Sequence, residues 1–258
     1  MNLPKLIWEY QILLDSIQSR GIPNLTEDLS NLEVEAFCSA WAFFETIHSY
    51  AYTFIIKNVY HSPGEVFDNT LNDEEILKRA SSVTKYYDDL INSFGDSEAD
   101  KKKKLYLTLM SVNILEGIRF YVSFACSYAF AQNGKMEGNA KIIKFISRDE
   151  NLHVAITQNI MKNWINNPDE GFQEVVKKNE DKIYAAYEMA VNAEKDWADY
   201  LFKKGPVIGL NANILKDFVD YTAVNALKEI GIKYTSPAPK TTPIPWFNKH
   251  SDTSKKQT

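Results

Sequence analysis

The chain has 258 residues, enough to bury a substantial core, and its formal net charge of −5 argues against a nucleic-acid-binding surface. Its two cysteines, Cys38 and Cys126, form no disulfide framework and lie in apolar stretches, as small core residues do. No unbroken apolar run reaches the roughly 18 residues that a membrane span needs, and the N-terminus lacks the features of a signal peptide. We therefore expect a cytoplasmic protein that binds neither nucleic acid nor a membrane.

Helices dominate the predicted elements, because glycine and proline are scarce, with 10 and 9 residues, and long stretches contain neither. The first helix carries apolar residues at helical spacing from Leu6 to Ile17, and the turn "GIPN" ends it. Ser97, with Asp100 three residues later, predicts the start of another helix. The predicted helices span residues 3–18, 32–60, 72–93, 97–130, 136–165, 169–203 and 211–231.

The connections between these helices are short, which predicts an all-α antiparallel bundle. The stretch "NILEGIRFYVSFACSYAF" is apolar on nearly all sides, so its helix is expected in the centre of the bundle. The segment 236–258 is rich in proline, threonine and lysine and predicts an extended tail. We therefore divide the chain into a helical domain, residues 1–235, and a C-terminal segment, residues 236–258.

Two of the four histidines have a glutamate three residues before them, as Glu45-x-x-His48 and Glu150-x-x-His153. Residues three apart lie on one face of a helix, so each pair can hold one metal ion. Glu116 lies alone in the apolar stretch between them, where an ionised carboxylate without a partner costs many kcal/mol. The pattern therefore indicates a buried metal site rather than isolated surface acids.

Ferritin-like di-metal carboxylate proteins combine two Glu-x-x-His pairs with two single carboxylates. Glu116 is one candidate for a single carboxylate, and Asp15, between apolar residues of the first helix, fits as the other. Four carboxylates and two divalent ions are together neutral, which makes their burial tolerable. Oxygen and nitrogen ligands without a thiolate favour iron or manganese.

The stretch "ETIHSYAY" carries two tyrosines behind the first Glu-x-x-His pair. At about 100° per residue, Tyr52 returns to within about 20° of the direction of Glu45, whereas Tyr50 points about 140° away. Only Tyr52 is therefore expected to face the metal ions. Spacing alone leaves two interpretations of Tyr52, a hydrogen-bonded core tyrosine or a phenol that undergoes one-electron oxidation.

Several longer blocks of the sequence resemble the small, radical-generating β subunit of class I ribonucleotide reductase. The resemblance covers nearly the whole chain and is densest in "LLDSIQSR", "WAFFETIHSYAYTFIIKN", "EGIRFYVSFACSYAF", "EGNAKIIKFISRDENLH", "KDWADYLFKKG" and "PIPWFNK". It implies a ferritin-like bundle with a di-iron site, in which dioxygen and reduced iron generate a stable tyrosyl radical. It also implies transfer of this radical to a large subunit, which reduces ribonucleotides to deoxyribonucleotides.

Carried over residue by residue, the resemblance assigns roles to individual side chains. Tyr52 matches the radical tyrosine, and Trp41 matches a tryptophan packed beside the site. Asp149 matches the acid that hydrogen-bonds a metal-bound histidine and begins the transfer path. The apolar pocket that shields the radical matches Phe120, Phe124 and Ile146. The implied metal ligands are Asp15, Glu45, His48, Glu116, Glu150 and His153.

The resemblance further implies a large subunit as partner and a homodimer formed by the helices around residues 32–60. The family has an N-terminal segment with a tryptophan of the transfer path, and a flexible C-terminal tail with a second transfer tyrosine. Neither is matched in this sequence, in which no tyrosine follows Tyr234. We therefore expect a fragment or one half of a split subunit, able to form the radical but not to deliver it alone.

Three other functions stay open on the sequence. A di-iron oxidase or oxygenase shares the ligand plan, but it needs no tyrosine at position 52 and requires a substrate cavity. Ferritin-like iron storage needs short, symmetric helices, and the "RDENLH" and "ETIHSYAY" blocks speak against it. A truncated, inactive subunit would only dimerise.

Two iron ions are the expected cofactor, with manganese as the alternative, because both metals accept the same ligands.

Overall fold

The computed structural model describes residues 3–29, 31–207, 209–232, 234 and 236–252. These residues form helices joined by short connections and contain no β-strand beyond an isolated bridge between Val207 and Leu210. The α-helices are α1 (Leu3–Gly21), α2 (Leu32–Val59), α3 (Pro63–Thr70), α4 (Glu74–Ile91), α5 (Glu98–Ile114), α6 (Phe120–Gln132), α7 (Glu137–Asn166), α8 (Gln173–Lys178), α9 (Glu180–Phe202), α10 (Ala212–Glu229) and α11 (Phe247–Ser251). Short 3₁₀ helices cover Ile22–Asp28 and Pro168–Glu170, and a π turn covers Leu115–Arg119. The predicted all-α bundle is confirmed.

Polar side chains fix where several of these helices begin. Asn31 accepts a hydrogen bond from the backbone N–H of Val34 at the start of α2, and Asn211 caps α10 in the same way. Ser97 caps α5 by accepting from the N–H of Asp100, so the predicted capping is confirmed. Such caps satisfy backbone donors that have no partner inside the helix, and each contributes about 1 kcal/mol.

The observed elements differ from the predicted ones in several places, among them the 3₁₀ helix Ile22–Asp28 in the predicted turn and α11 in the segment predicted to be extended. An additional short helix, α3, begins at Pro63, where a proline is tolerated because the first helical N–H has no partner in any case. The stretch predicted as one helix over 169–203 is divided at Gly171, whose φ of 70° lies in the left-handed region, and at Asn179. The long central helix contains the π turn. The sequence does not predict this turn, because a stretch that is apolar on all sides has no periodic pattern in which an extra residue would show.

The core of the bundle is assembled around the continuous helical stretch from Glu98 to Gln132. Helix α1 packs along α2, α9 along α10 and α4 along α5, while α7 contacts both α5 and α6. By length and composition the central stretch could cross a membrane, but 94% of its most apolar window is buried inside the bundle. Its apolar side chains therefore form the core, as in the central helix of a helical bundle.

The C-terminal segment lies against the bundle through two buried side chains, Ile244 and Phe247. The Phe247 ring packs against the rings of Tyr121, Tyr128 and Phe218. Apart from α11, the described part of this segment contains no helix or strand. Residues 253–258 of the predicted tail lie outside the described residues, and the division into a domain and a tail stays a prediction.

Candidate metal centre

Six buried side chains from α1, α2, α7 and the π turn meet inside the bundle. Each of them has at most 3% of its surface exposed. Helices α2 and α7 each present a glutamate and a histidine three residues apart, because residues at that spacing share a helix face. Helix α1 and the π turn each add one carboxylate. The six residues are Asp15, Glu45, His48, Glu116, Glu150 and His153.

These six side chains form two overlapping sets of metal-ligating groups. In each set the ligand atoms lie within 4.8 Å of one another. One set is Asp15, Glu45, His48 and Glu150, and the other is Glu45, Glu116, Glu150 and His153. Because Glu45 and Glu150 belong to both sets, each of these carboxylates can offer an oxygen to either ion. The arrangement therefore fits two metal ions that share two bridging carboxylates.

The histidine rings direct their Nδ1 atoms at the shared carboxylates. His48 Nδ1 lies 3.0 Å from Glu150 Oε1, and His153 Nδ1 lies 2.7 Å from Glu150 Oε2. His153 Nδ1 is also 3.1 Å from Glu45 Oε1. The two oxygens of Glu150 therefore face different histidines, which is the arrangement that a carboxylate bridging two ions requires.

Several charged atoms of the cluster are buried without a hydrogen-bond partner among the described residues. Burying such atoms is costly unless a counter-charge compensates them. Two divalent cations neutralise four carboxylates, and carboxylate oxygen and imidazole nitrogen suit iron or manganese. The donor atoms therefore fit a di-metal centre. The unpartnered atoms are both carboxylate oxygens of Asp15, Glu45 Oε2, His48 Nδ1, Glu116 Oε2 and Glu150 Oε1.

Burial and mutual repulsion oppose the ionisation of several of these carboxylates when no cation compensates them. Burial, followed by the charges of Glu45 and Glu150, raises the pKa of Asp15 well above its usual range. Burial acts to lower the pKa of His153, but Glu150 and the neighbouring carboxylates outweigh it and raise that pKa to about 12. Asp15 and His153 are therefore expected to keep their protons when no cation is bound, and metal binding is expected to release them.

The two residues that the resemblance places beside the site, Trp41 and Asp149, each contact a predicted ligand. Trp41 Nε1 donates a hydrogen bond to Glu45 Oε1 at 2.7 Å, and its ring stacks on His153 with the centroids 4.5 Å apart. Asp149 Oδ2 lies 3.3 Å from His48 Nε2. Both contacts fix the orientation of a predicted ligand, and the Asp149 carboxylate also raises the basicity of the His48 imidazole.

Tyr52 is completely buried, whereas 70% of Tyr50 is exposed, in agreement with the helical phase. Burial, followed by the charge of Asp15, raises the pKa of Tyr52 well above its usual range. Within the described part of the chain its hydroxyl has no hydrogen-bond partner. The side chains implied to form the radical pocket are also buried; they are Phe120, Phe124 and Ile146.

Two residues that the sequence did not single out adjoin the cluster. Gln18 Nε2 donates a hydrogen bond to Glu116 Oε1 at 2.5 Å, and Tyr87 Oη donates to Gln18 Oε1 at 2.8 Å. Gln18 lies three residues after Asp15 on the same face of α1, and this spacing is the signal that points to it. The sequence gives no such signal for Tyr87, because Tyr86 beside it is equally compatible with an inward position.

The fold and the ligand set together define a class of protein. A helical bundle in which two Glu-x-x-His pairs and two single carboxylates project inward is the plan of the ferritin-like di-metal carboxylate proteins. The predicted fold class is thereby confirmed. Similarity to known proteins narrows this class to one family.

The family model described as "Ribonucleotide reductase, small chain" matches residues 4–243. The ribonucleoside-diphosphate reductase subunit beta of Haemophilus influenzae is 45% identical over 93% of this chain and 69% of its own length. Ribonucleoside-diphosphate reductase 1 subunit beta of Escherichia coli O157:H7 is 44% identical over the same shares. The ribonucleotide reductase R2 subunit from Clostridium botulinum has a TM-score of 0.86 at 28% identity, covering 97% of this chain and 76% of that one. The chain therefore belongs to the ribonucleotide reductase small-chain family, and the predicted resemblance to an oxidoreductase component is confirmed.

Proposed function

We propose that this chain is the small subunit of a ribonucleoside-diphosphate reductase and that its buried cluster holds two iron ions. When bound and reduced, the di-iron centre supplies, with dioxygen, the one-electron oxidation of Tyr52. The radical on Tyr52 then serves a large subunit, which reduces ribonucleotides to deoxyribonucleotides. One observation carries the proposal. Tyr52 is completely buried, and the charged group with the largest electrostatic effect on it is Asp15, a member of one of the two overlapping ligand sets. The relatives named as ribonucleoside-diphosphate reductase subunits support the same function.

The six side chains divide into ligands for one ion and ligands shared by both. Asp15 and His48 belong only to the first set, so they would bind the ion nearer to Tyr52. Glu116 and His153 belong only to the second set and would bind the other ion. The shared carboxylates are Glu45 and Glu150.

Oxidation of Tyr52 to a neutral radical removes a proton from the phenol as well as an electron. Because burial raises the pKa of Tyr52, the hydroxyl keeps its proton until the electron leaves. Among the charged groups, Asp15 has the largest electrostatic effect on Tyr52, and its oxygens lack hydrogen-bond partners among the described residues. We therefore propose that Asp15, when ionised as a metal ligand, is the group that would accept the hydroxyl proton.

An apolar enclosure would protect a radical on Tyr52 from water and from reductants. Phe120 and Phe124 are completely buried, and their rings stack with centroids 5.8 Å apart. Ile146 of α7 is buried as well. Side chains of this type offer neither a proton nor an electron, so we propose that these three form the shield of the radical.

A line of three side chains leads from the cluster toward the protein surface. Asp149 Oδ2 faces His48 Nε2, and Asp149 Oδ1 accepts a hydrogen bond from Arg148 Nε at 2.9 Å. Arg148 is half-exposed, with 48% of its side chain in contact with solvent. We propose that electron and proton transfer to the large subunit begins along His48 and Asp149.

A face of α2 opposite the cluster carries large apolar side chains that are 40–70% exposed. They are Phe43, Phe44, Ile47, Tyr50 and Phe54. Because a soluble chain rarely leaves such a patch uncovered, we propose that it forms the interface of a homodimer. Phe54→Glu should convert a dimer into a monomer in analytical ultracentrifugation, whereas Phe94→Glu, at a fully exposed residue outside this face, should leave the dimer intact. A dimer that survives Phe54→Glu and further charges on this face would contradict the assignment.

Iron loading followed by electron paramagnetic resonance tests the proposed chemistry. The metal-free protein is loaded with ferrous iron and exposed to dioxygen, and a tyrosyl signal is expected. Tyr52→Phe should lose this signal and still bind two iron ions per chain, while Tyr50→Phe, two residues away on the exposed face, should retain it. Iron binding by the wild type without any tyrosyl signal would contradict the proposal and favour an oxidase of the same fold.

Two further measurements separate the remaining parts of the proposal. Loading with manganous ions in parallel identifies which metal supports formation of the radical. Addition of a large subunit and a ribonucleoside diphosphate then measures whether this 258-residue chain supports turnover.

A further inference from the structure

A second buried tyrosine lies at the opposite end of the cluster from Tyr52. Tyr87 of α4 is 4% exposed, and Glu116 is the charged group with the largest electrostatic effect on it. Its hydroxyl donates a hydrogen bond at 2.8 Å to the side-chain oxygen of Gln18, which is itself completely buried. Gln18 Nε2 in turn donates to Glu116 Oε1 at 2.5 Å. A continuous chain of hydrogen bonds therefore runs from Tyr87 to a predicted metal ligand.

The direction of this chain is set by the chemistry of its ends. When Glu116 is ionised as a metal ligand it only accepts hydrogen bonds, so the amide of Gln18 must turn its NH₂ group toward it. The amide oxygen then faces Tyr87 and accepts a hydrogen bond from the Tyr87 hydroxyl. If the amide rotated by half a turn, its oxygen would oppose the Glu116 carboxylate without a proton between them. Tyr87 therefore stabilises the one orientation of Gln18 that donates to Glu116.

The bond from Gln18 also distinguishes the two oxygens of Glu116. Oε1 is occupied by the Gln18 amide, whereas Oε2 has no hydrogen-bond partner in the described part of the chain. Oε2 is the oxygen that faces the second ligand set, because it lies 3.6 Å from His153 Nδ1. Gln18 thus leaves one defined oxygen of Glu116 free for a metal ion.

Gly21 provides the space that the Tyr87 ring occupies. A Cβ atom at Gly21 would lie closer than 3.0 Å to three carbons of this ring. The backbone φ at Gly21 is −79°, which any residue adopts, so the ring and not the backbone conformation demands glycine here. Asp15, Gln18 and Gly21 follow one another at intervals of three, so one face of α1 supplies a ligand, an amide and a seat for Tyr87.

We propose that Gln18 and Tyr87 are positioning residues for the second metal ion, an inference that rests on the proposed di-metal function. Tyr87 fixes the amide of Gln18, and Gln18 holds Glu116 so that Oε2 is presented to the ion bound with His153. Contacts of this kind to ligand side chains typically change metal affinity about 10–100-fold. The effect should fall on one ion of the two, because the Gln18 bond reaches a carboxylate that belongs to the second set alone.

Titration of the metal-free protein with Mn²⁺ alone, followed by the electron paramagnetic resonance of free Mn²⁺, tests this inference. The wild type should bind two ions per chain. Tyr87→Phe should weaken the binding of one of the two ions about 10-fold. Gln18→Met, which removes the amide donor, should weaken the binding of the same ion by up to about 100-fold. Gly21→Ala should act like Tyr87→Phe while keeping the hydroxyl. Tyr86→Phe makes the same change on the neighbouring residue and should leave both affinities unchanged.

Thermal unfolding of each metal-free variant separates positioning from packing. The inference is supported if Tyr87→Phe weakens the binding of one ion alone and its melting temperature stays close to that of the wild type. Unchanged affinity in Tyr87→Phe and Gln18→Met would overturn it, and so would an equal weakening of both ions. A wild type that binds fewer than two ions would overturn the proposed function as well, which distinguishes the two failures.

Discussion

Replacing Glu194 with glutamine should change how the stability of the protein depends on pH. Glu194 is completely buried in α9, and its Oε1 accepts a hydrogen bond from Tyr10 Oη at 2.8 Å. Its Oε2 has no hydrogen-bond partner among the residues that the structure describes. Burial raises the pKa of Glu194 from 4.5 to about 7, although the charges of Arg119 and Arg79 act to lower it.

The direction of the effect follows from this raised pKa. Between pH 4.5 and about pH 7 the folded chain binds more protons at Glu194 than the unfolded chain does, so stability falls as the pH rises. At about 1.4 kcal/mol per pKa unit, the difference corresponds to about 3 kcal/mol. Glu194→Gln keeps an acceptor for Tyr10 and cannot ionise. Its stability relative to the wild type should therefore increase by about 3 kcal/mol from about pH 4.5 to about pH 8.

Urea unfolding of the metal-free proteins, in the presence of a chelator, measures this difference. Subtracting the free energy of unfolding of the wild type from that of the variant at each pH removes the contributions of other buried acids. One of these is Glu9, because burial raises its pKa to about 7 as well. Glu188→Gln, at an exposed glutamate of the same helix, is the matched control and should not reproduce the pH-dependent difference of Glu194→Gln. A Glu194→Gln difference that stays constant between these pH values would refute the reasoning.

Three further predictions concern the cluster and its surroundings. Metal ions at a concentration of about 100 times their dissociation constant should raise the free energy of unfolding by about 2.7 kcal/mol per site. Urea unfolding with and without chelator measures this change, and an unchanged unfolding midpoint would contradict the binding of two ions. Phe124→Ala should lower that free energy by about 3–5 kcal/mol in the same assay, because a completely buried ring leaves a cavity, and a loss under about 1 kcal/mol would contradict tight packing there. Trp41→Phe, which removes the donor to Glu45, should weaken metal binding about 10–100-fold in a Mn²⁺ titration. Trp164→Phe, whose ring stacks on Phe172 instead, should leave metal affinity unchanged.

The helices and the cluster of six side chains could be predicted because buried charge is rare and costly. Glu116 is conspicuous in an apolar helix, and the spacing of Glu45 and His48 places both on one face. The same phase argument places Tyr52 inside and Tyr50 outside, as the structure has them. These inferences depend only on the direction in which a helical side chain points.

The residues that sequence reasoning missed depend instead on how separate helices meet. Gln18 and Tyr87 lie 69 residues apart in the chain and become partners only when α1 packs against α4. A neutral amide and a phenol are common in helices, so neither is conspicuous in the way that a buried carboxylate is. The glycine at position 21 is read from the sequence as part of a turn, although in the structure its lack of a side chain admits the Tyr87 ring.

The π turn at Leu115–Arg119 has a consequence for insertions and deletions in the central helix. A π turn contains one residue more than an α-helical turn of the same span, so it accommodates the extra residue without rotating α6 relative to α5. Deletion of one residue of this turn other than Glu116 would therefore leave a regular helix in which Phe120 and Phe124 keep their positions in the core. Deletion of one residue elsewhere in the central helical stretch would instead rotate the side chains beyond it by about 100°. The central helix should therefore tolerate the loss of a residue in this turn better than in its regular α-helical parts.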